Sequence, residues 1–165
     1  ADRLRQIATR LQIADPDIEA LLSDFQGMLQ QEAIAAALRR SAYQPPKDLL
    51  FDGALMADLA ATELELEVRS EQPIAALEDA SLMTGSIDRL VLMRHNSTLL
   101  AADVIDFKSD VVDATDEAAL AEKVAFYRPQ LEAYRDAVAA MFRLERRRIS
   151  ARLLFVAAGV VKAVR

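Results

Sequence analysis

Asp106, Phe107 and Lys108 close a hydrophobic run that begins at Ala101, and the stretch Gly85-Ser86-Ile87-Asp88 lies upstream of it. On an extended strand, residues two apart project from the same face. Asp106 and Lys108 then stand side by side, while Ile105 and Phe107 point the other way into a core. A carboxylate holds a hard divalent cation. An adjacent ammonium steadies an attacking water or the negative charge that develops on a phosphate, and metal-assisted phosphodiester hydrolysis needs both. Taken alone, the triplet also fits a solvated strand end whose exposed ion pair has little energetic weight.

The elements around it must bring a second acid close. Residues 86 to 94 read as a strand with Asp88 near its start, and His95-Asn96-Ser97-Thr98 is a polar stretch of hairpin length. An antiparallel hairpin sets the beginning of its first strand beside the end of its second, so Asp88 falls near Asp106. Before that, from Thr62, Leu64, Leu66 and Val68 alternate with Glu63, Glu65, Glu67 and Arg69, the pattern of a strand with one buried face. Glu71 shares the parity of the outward acids, so periodicity leaves both Glu67 and Glu71 open as a further ligand.

The motifs Glu71-Gln72-Pro73-Ile74, Gly85-Ser86-Ile87-Asp88, Asp106-Phe107-Lys108-Ser109-Asp110 and Tyr127-Arg128-Pro129-Gln130-Leu131-Glu132-Ala133-Tyr134 follow one another in the chain. In that order they resemble the PD-(D/E)XK nuclease superfamily, and within it the RecB-like domain at the C-terminus of AddA-type helicase-nucleases of the UvrD/Rep-like kind. The resemblance covers roughly residues 60 to 165 and extends to Leu154-Phe155 and Gly159 near the end. It selects Glu71 over Glu67. It implies that Asp88, Asp106 and Glu71, with the backbone carbonyl of Phe107, hold Mg²⁺ or Mn²⁺, that Lys108 is catalytic, and that Gln130 and Tyr134 line the cleft and bind substrate phosphate or hold Lys108. Asp110 is expected to shape the loop rather than to bind metal. One departure is that the family's early Gly and His have no counterpart, because the sole histidine, His95, sits in the hairpin turn. The chain is therefore expected to start after that residue, as a piece of a longer protein.

Composition narrows the choice. The 165 residues, 53% hydrophobic, suffice for one domain with a sizeable core. Cysteine is absent, which removes thiolate catalysis, thiolate metal sites and the iron–sulfur cluster that some RecB-like relatives carry. No apolar run is long enough to span a bilayer and no signal-peptide pattern opens the chain, so a cytoplasmic location without membrane contact is expected. The net charge of −6 opposes a freestanding nucleic-acid binder. The resemblance implies a partial answer: neighbouring domains of a helicase-nuclease deliver the strand, and cations held at the acidic site supply local positive charge. The dense basic cluster, Arg143 with Arg146-Arg147-Arg148, reads as a solvated helix end whose cations complement the dipole.

Helices frame the strands. Residues 2 to 13 have helical spacing, Asp15-Pro16 opens a second helix that Gly27 bends or interrupts, and a third runs from Gln30 to Arg40. Tyr43-Gln44-Pro45-Pro46 reads as a linker and 47 to 59 as helix again. After Lys108, a polar loop precedes a helix over 117 to 127, and Pro129 starts another that reaches about Arg146. Two short strands around Ala158-Gly159 finish the chain. The expected class is α/β: a restriction-endonuclease-like central mixed β-sheet flanked by helices, with residues 1–60 a helical segment devoid of chemistry and 61–165 the nuclease core. The implied activity is metal-dependent DNA exonuclease action on single-stranded ends, in recombination and double-strand break repair. Its partners would be helicase motor domains in the same chain and an AddB-like subunit. The alternative is an inactive nuclease-like module that guides DNA.

Overall fold

The computed structural model describes residues 15–43, 55, 57, 59, 63–78 and 81–164. In chain order the elements are α1 (Asp15–Gln30), α2 (Glu32–Leu38), a 3-10 turn (Arg40–Tyr43), β1 (Glu65–Glu78), β2 (Ser81–His95), β3 (Thr98–Lys108), α3 (Glu117–Phe142), a second 3-10 turn (Arg146–Arg148), β4 (Ile149–Phe155) and β5 (Val160–Val164). The strands form one sheet in chain order. The β1–β2, β2–β3 and β4–β5 pairs are antiparallel, whereas β3 and β4 run parallel. A parallel pair needs a long crossover, and α3 supplies it. Among the described residues no helix is long and apolar enough to cross a membrane.

Each face of the sheet is covered. Leu120, Leu131, Ala137 and Val138 of α3 pack with Leu90, Leu92, Ala102, Val104, Leu153 and Phe155. On the other face Ile34, Ala37 and Tyr43 join Val91, Met93, Ala101, Ile105 and Leu154. The two clusters follow the period-two alternation of β3 and of β2 from Leu90 to Met93, whereas Ile87 joins the α3 side out of step. At the hairpin tip between these strands Asn96 and Ser97 have φ of 46° and 67°, the paired left-handed conformation of a tight two-residue turn.

Three expectations need correction. Helix α1 runs through Gly27 to Gln30, and the break comes at Gln31, whose ψ of 132° is extended. Nothing lies near Gly27 to force a bend. Pro129 does not divide two helices, since α3 is continuous across it. The proline removes one N–H from the ladder, but Ala125, the residue four back, is on the exposed side where water can satisfy its carbonyl. Burial of Leu120 on one side of Pro129 and Leu131, Tyr134 and Val138 on the other holds both halves to the sheet. Val68 is exposed, so the buried face expected for β1 ends after Leu64 and the half-buried Leu66. The expected helix over 2–13 and the linker at 44–46 lie outside the described residues. Of 47–59, only 55, 57 and 59 are described, and they are helical.

Candidate active site

The site lies where the sheet divides. The β2–β3 ladder ends at Arg89↔Ile105, and one step further the register brings Asp88 level with Asp106. Beyond that step β3 stays paired with β4 down to Lys108↔Phe155, while β2 stays paired with β1. The gap is bridged by a side chain: the backbone N–H of Phe107 donates to Asp88 Oδ2 at 2.8 Å. The N–H and C=O of a strand residue face the same neighbour. The Phe107 carbonyl therefore faces the gap between the two acids.

Asp106 and Lys108 share a face, as the alternation predicts, and their side chains are 4% and 13% exposed, so the reading as a solvated ion pair fails. Lys108 Nζ is 2.5 Å from Asp106 Oδ2. No other donor among the described residues reaches the buried Oδ2. Burial pushes the Asp106 carboxyl above its ordinary range, Lys108 pulls it down, and the charge of Asp88 raises it again.

Helix α3 holds the ammonium from the other side. Lys108 Nζ donates to Gln130 Oε1 at 3.1 Å, and Gln130 Nε2 donates to the Tyr134 hydroxyl at 2.7 Å. Gln130 and Tyr134 are four apart and share a helix face. Tyr134 also rests against Gly85, where an added Cβ would be 3.6 Å from the ring. The Lys108 ammonium lies 4.1 Å from the centre of the Tyr127 ring, a cation–π contact. The Tyr127 hydroxyl donates to Asp110 Oδ2 at 2.8 Å and Lys123 Nζ to Asp110 Oδ1 at 2.6 Å. Lys123 first, then Tyr127, holds the Asp110 carboxyl below its usual range, and the bond to Asp110 raises the Tyr127 phenol. Asp110 thus fastens the loop after β3 to α3. Lys123 escaped the sequence reading and Tyr127, which opens the fourth motif, has no role in it, although their spacing from Gln130 and Tyr134, at 123, 127, 130 and 134, marks one helix stripe.

Glu71 and Glu67 are separated by geometry. The β1–β2 pairing runs from Glu65↔Arg94 to Glu78↔Ser81 and omits only Glu71, which lies across from Asp88. Glu71 has φ of 51°, a left-handed conformation that costs a residue with a Cβ of order 1–3 kcal/mol. Its carboxylate accepts a 3.4 Å bond from Ser86. Glu67 is turned away to Arg69 at 2.7 Å and Arg94 at 3.1 Å. Among the described residues no three Asp, Glu, His or Cys side chains come together as a metal-binding group. Asp88 and Asp106 are adjacent, and Glu71 stands apart. His95 is remote from all of them, bonded at 3.0 Å to the Glu63 carbonyl.

The model of the PD-(D/E)XK nuclease superfamily matches residues 4–164. The chain belongs to that superfamily. Its five-stranded mixed sheet flanked by helices is the restriction-endonuclease-like fold of PD-(D/E)XK proteins. No curated relative matches the chain. Among the described residues, the fork in this nuclease sheet offers oxygen donors: two carboxylates, one of them buried with Lys108 as its sole partner, and a main-chain carbonyl between them. Such a set fits a hard divalent cation.

Proposed function

We propose that this chain is the exonuclease domain of a helicase-nuclease, hydrolysing phosphodiester bonds of single-stranded DNA ends with Mg²⁺ or Mn²⁺. The observation that carries the reading is the buried Asp106 carboxylate beside Asp88, its Oδ2 met only by Lys108 among the described residues, with Lys108 gripped by Gln130 and Tyr127. Asp88, Asp106 and the Phe107 carbonyl would hold the cation, and Glu71 is the further acid within a strand's width of Asp88. A bound cation would lower the pKa of a coordinated water and polarise the scissile phosphate.

The protein's own part is placement. Lys108 projects beside Asp106 and has two further holds on α3, at Gln130 and the Tyr127 ring. Its ammonium can then orient the attacking water or offset charge on the phosphate. Gln130 fixes the direction of that ammonium and is itself fixed by Tyr134. Assignment to the AddA-type branch, to recombination and double-strand break repair, and to an AddB-like partner rests on the motif order, as does a cytoplasmic setting.

Incubating end-labelled single-stranded DNA with the protein and Mn²⁺ tests the reading. Wild type is expected to release nucleotides from an end, and Lys108→Ala to lose about a thousandfold in rate while keeping the Mn²⁺-induced rise in Tm. Asp106→Ala is expected to lose both. Cleavage retained by Lys108→Ala removes that residue from the mechanism. The absence of a third clustered acid among the described residues favours a second reading, a nuclease-like module that guides DNA without cutting it. DNA binding by wild type with no cleavage in Mn²⁺ would select it.

A further inference from the structure

Phe126 is 73% exposed, although it adjoins Tyr127 in the site. Its ring meets Tyr127 edge-on with centroids 4.9 Å apart, and the same Tyr127 ring carries the Lys108 ammonium at 4.1 Å. Phe126 also lies one helical turn before Gln130, the partner of Lys108. Val111, 94% exposed, follows Asp110, which is bonded to Tyr127. An exposed apolar ring therefore stands beside the aromatic group that carries the Lys108 ammonium.

Exposing a phenyl ring in water is unfavourable, and neither core cluster contains Phe126. An aromatic face beside a phosphodiester site has an evident occupant, because every nucleobase offers a π-face and single strands leave it unstacked. In a duplex the same face is covered by the neighbouring base pair. We infer that Phe126 is a stacking platform for an unpaired base next to the scissile phosphate and biases the site toward single strands without reading sequence. The inference rests on the nuclease reading for the place of the phosphate, and it adds a residue that selects the substrate.

The sequence contains no tryptophan, so Phe126→Trp installs a single reporter in the full chain. Its fluorescence is followed in EDTA while an oligothymidylate, an abasic oligomer of equal length and a blunt duplex are added. Quenching by the oligothymidylate and not by the other two is expected. Equal responses to thymidylate and abasic strands, or none to either, would overturn the platform. In a second measurement, anisotropy of labelled oligothymidylate should show roughly tenfold weaker binding by Phe126→Ala than by wild type, the loss of about one stacked base. Unchanged affinity counts against the proposal. Base-dependent quenching without cleavage by wild type in Mn²⁺ upholds the platform and rejects the nuclease, whereas cleavage with base-independent binding does the reverse.

Discussion

Strand β3 carries two buried acids three residues apart, on opposite faces of the sheet, and they are treated differently. Asp103 is fully partnered. Its Oδ1 accepts from Ser150 Oγ at 2.6 Å, and its Oδ2 accepts from the Tyr43 hydroxyl at 2.8 Å and from Arg152 Nε at 3.1 Å. Arg152 Nη2 also reaches Asp103, the Tyr43 hydroxyl at 2.9 Å and the Ala37 carbonyl at 3.3 Å. Asp106 has a single partner for its buried Oδ2 among the described residues, the ammonium of Lys108. A saturated buried acid locks a structure, and an unsaturated one is kept for a ligand at a cost in stability. The difference separates a clamp from a site.

Breaking the clamp should have the largest effect on folding. Arg152→Ala leaves the buried Asp103 carboxyl without its cation, with Ser150 and Tyr43 as its remaining donors, and is expected to cost about 3–5 kcal/mol in urea unfolding. The substitution should unseat the Tyr43 turn with it. A loss under about 1 kcal/mol would show that the clamp is not holding the back face.

The opposite sign is expected at the site. Burial, chiefly, and the charge of Asp88 place the Asp106 carboxyl above its unfolded value, so this group contributes stability below the unfolded range and loses it as pH rises through the raised value. Asp106→Asn should therefore raise the Tm of the metal-free protein by a few degrees at neutral pH. The gain should vanish in acid, where the native residue is already protonated. Calorimetry across that range checks it, and a lower Tm at neutral pH would reverse the comparison. The smallest effect is expected from Tyr127→Phe, which keeps the ring under Lys108 and leaves Asp110 to Lys123 alone, costing about 1 kcal/mol. Hydrogen exchange should quicken in residues 109–113, and unchanged protection there would mean that the Tyr127 hydroxyl does not help tether the loop.

The site was more legible in sequence than the clamp. Asp88, Asp106 and Lys108 occupy consecutive strands of one hairpin, so alternation and a two-residue turn suffice to bring them together. Asp103 sits on the parity of Ile105, which marks it as inward-facing, but its partners at 43, 150 and 152 are fixed by pairing across the sheet that local periodicity does not encode. For the same reason the helical segment before β1, which showed no chemistry, supplies a clamp residue. Pro129 misled because its local signal for a helix start is outweighed by burial on both sides of it. The left-handed Glu71 gave no warning, since glycine is the residue expected at such a φ.

The Tyr43–Arg152 tie has a practical corollary for anyone shortening this polypeptide. A recombinant version begun at residue 61, where alternating sequence takes over from helical, would strip the phenol and the Ala37 carbonyl from a guanidinium deep in the protein. It would also bare the apolar surface of Ile105 and Leu154. Such a product would be sticky and poorly soluble, and its failure to cut DNA would say nothing about the acids at the fork.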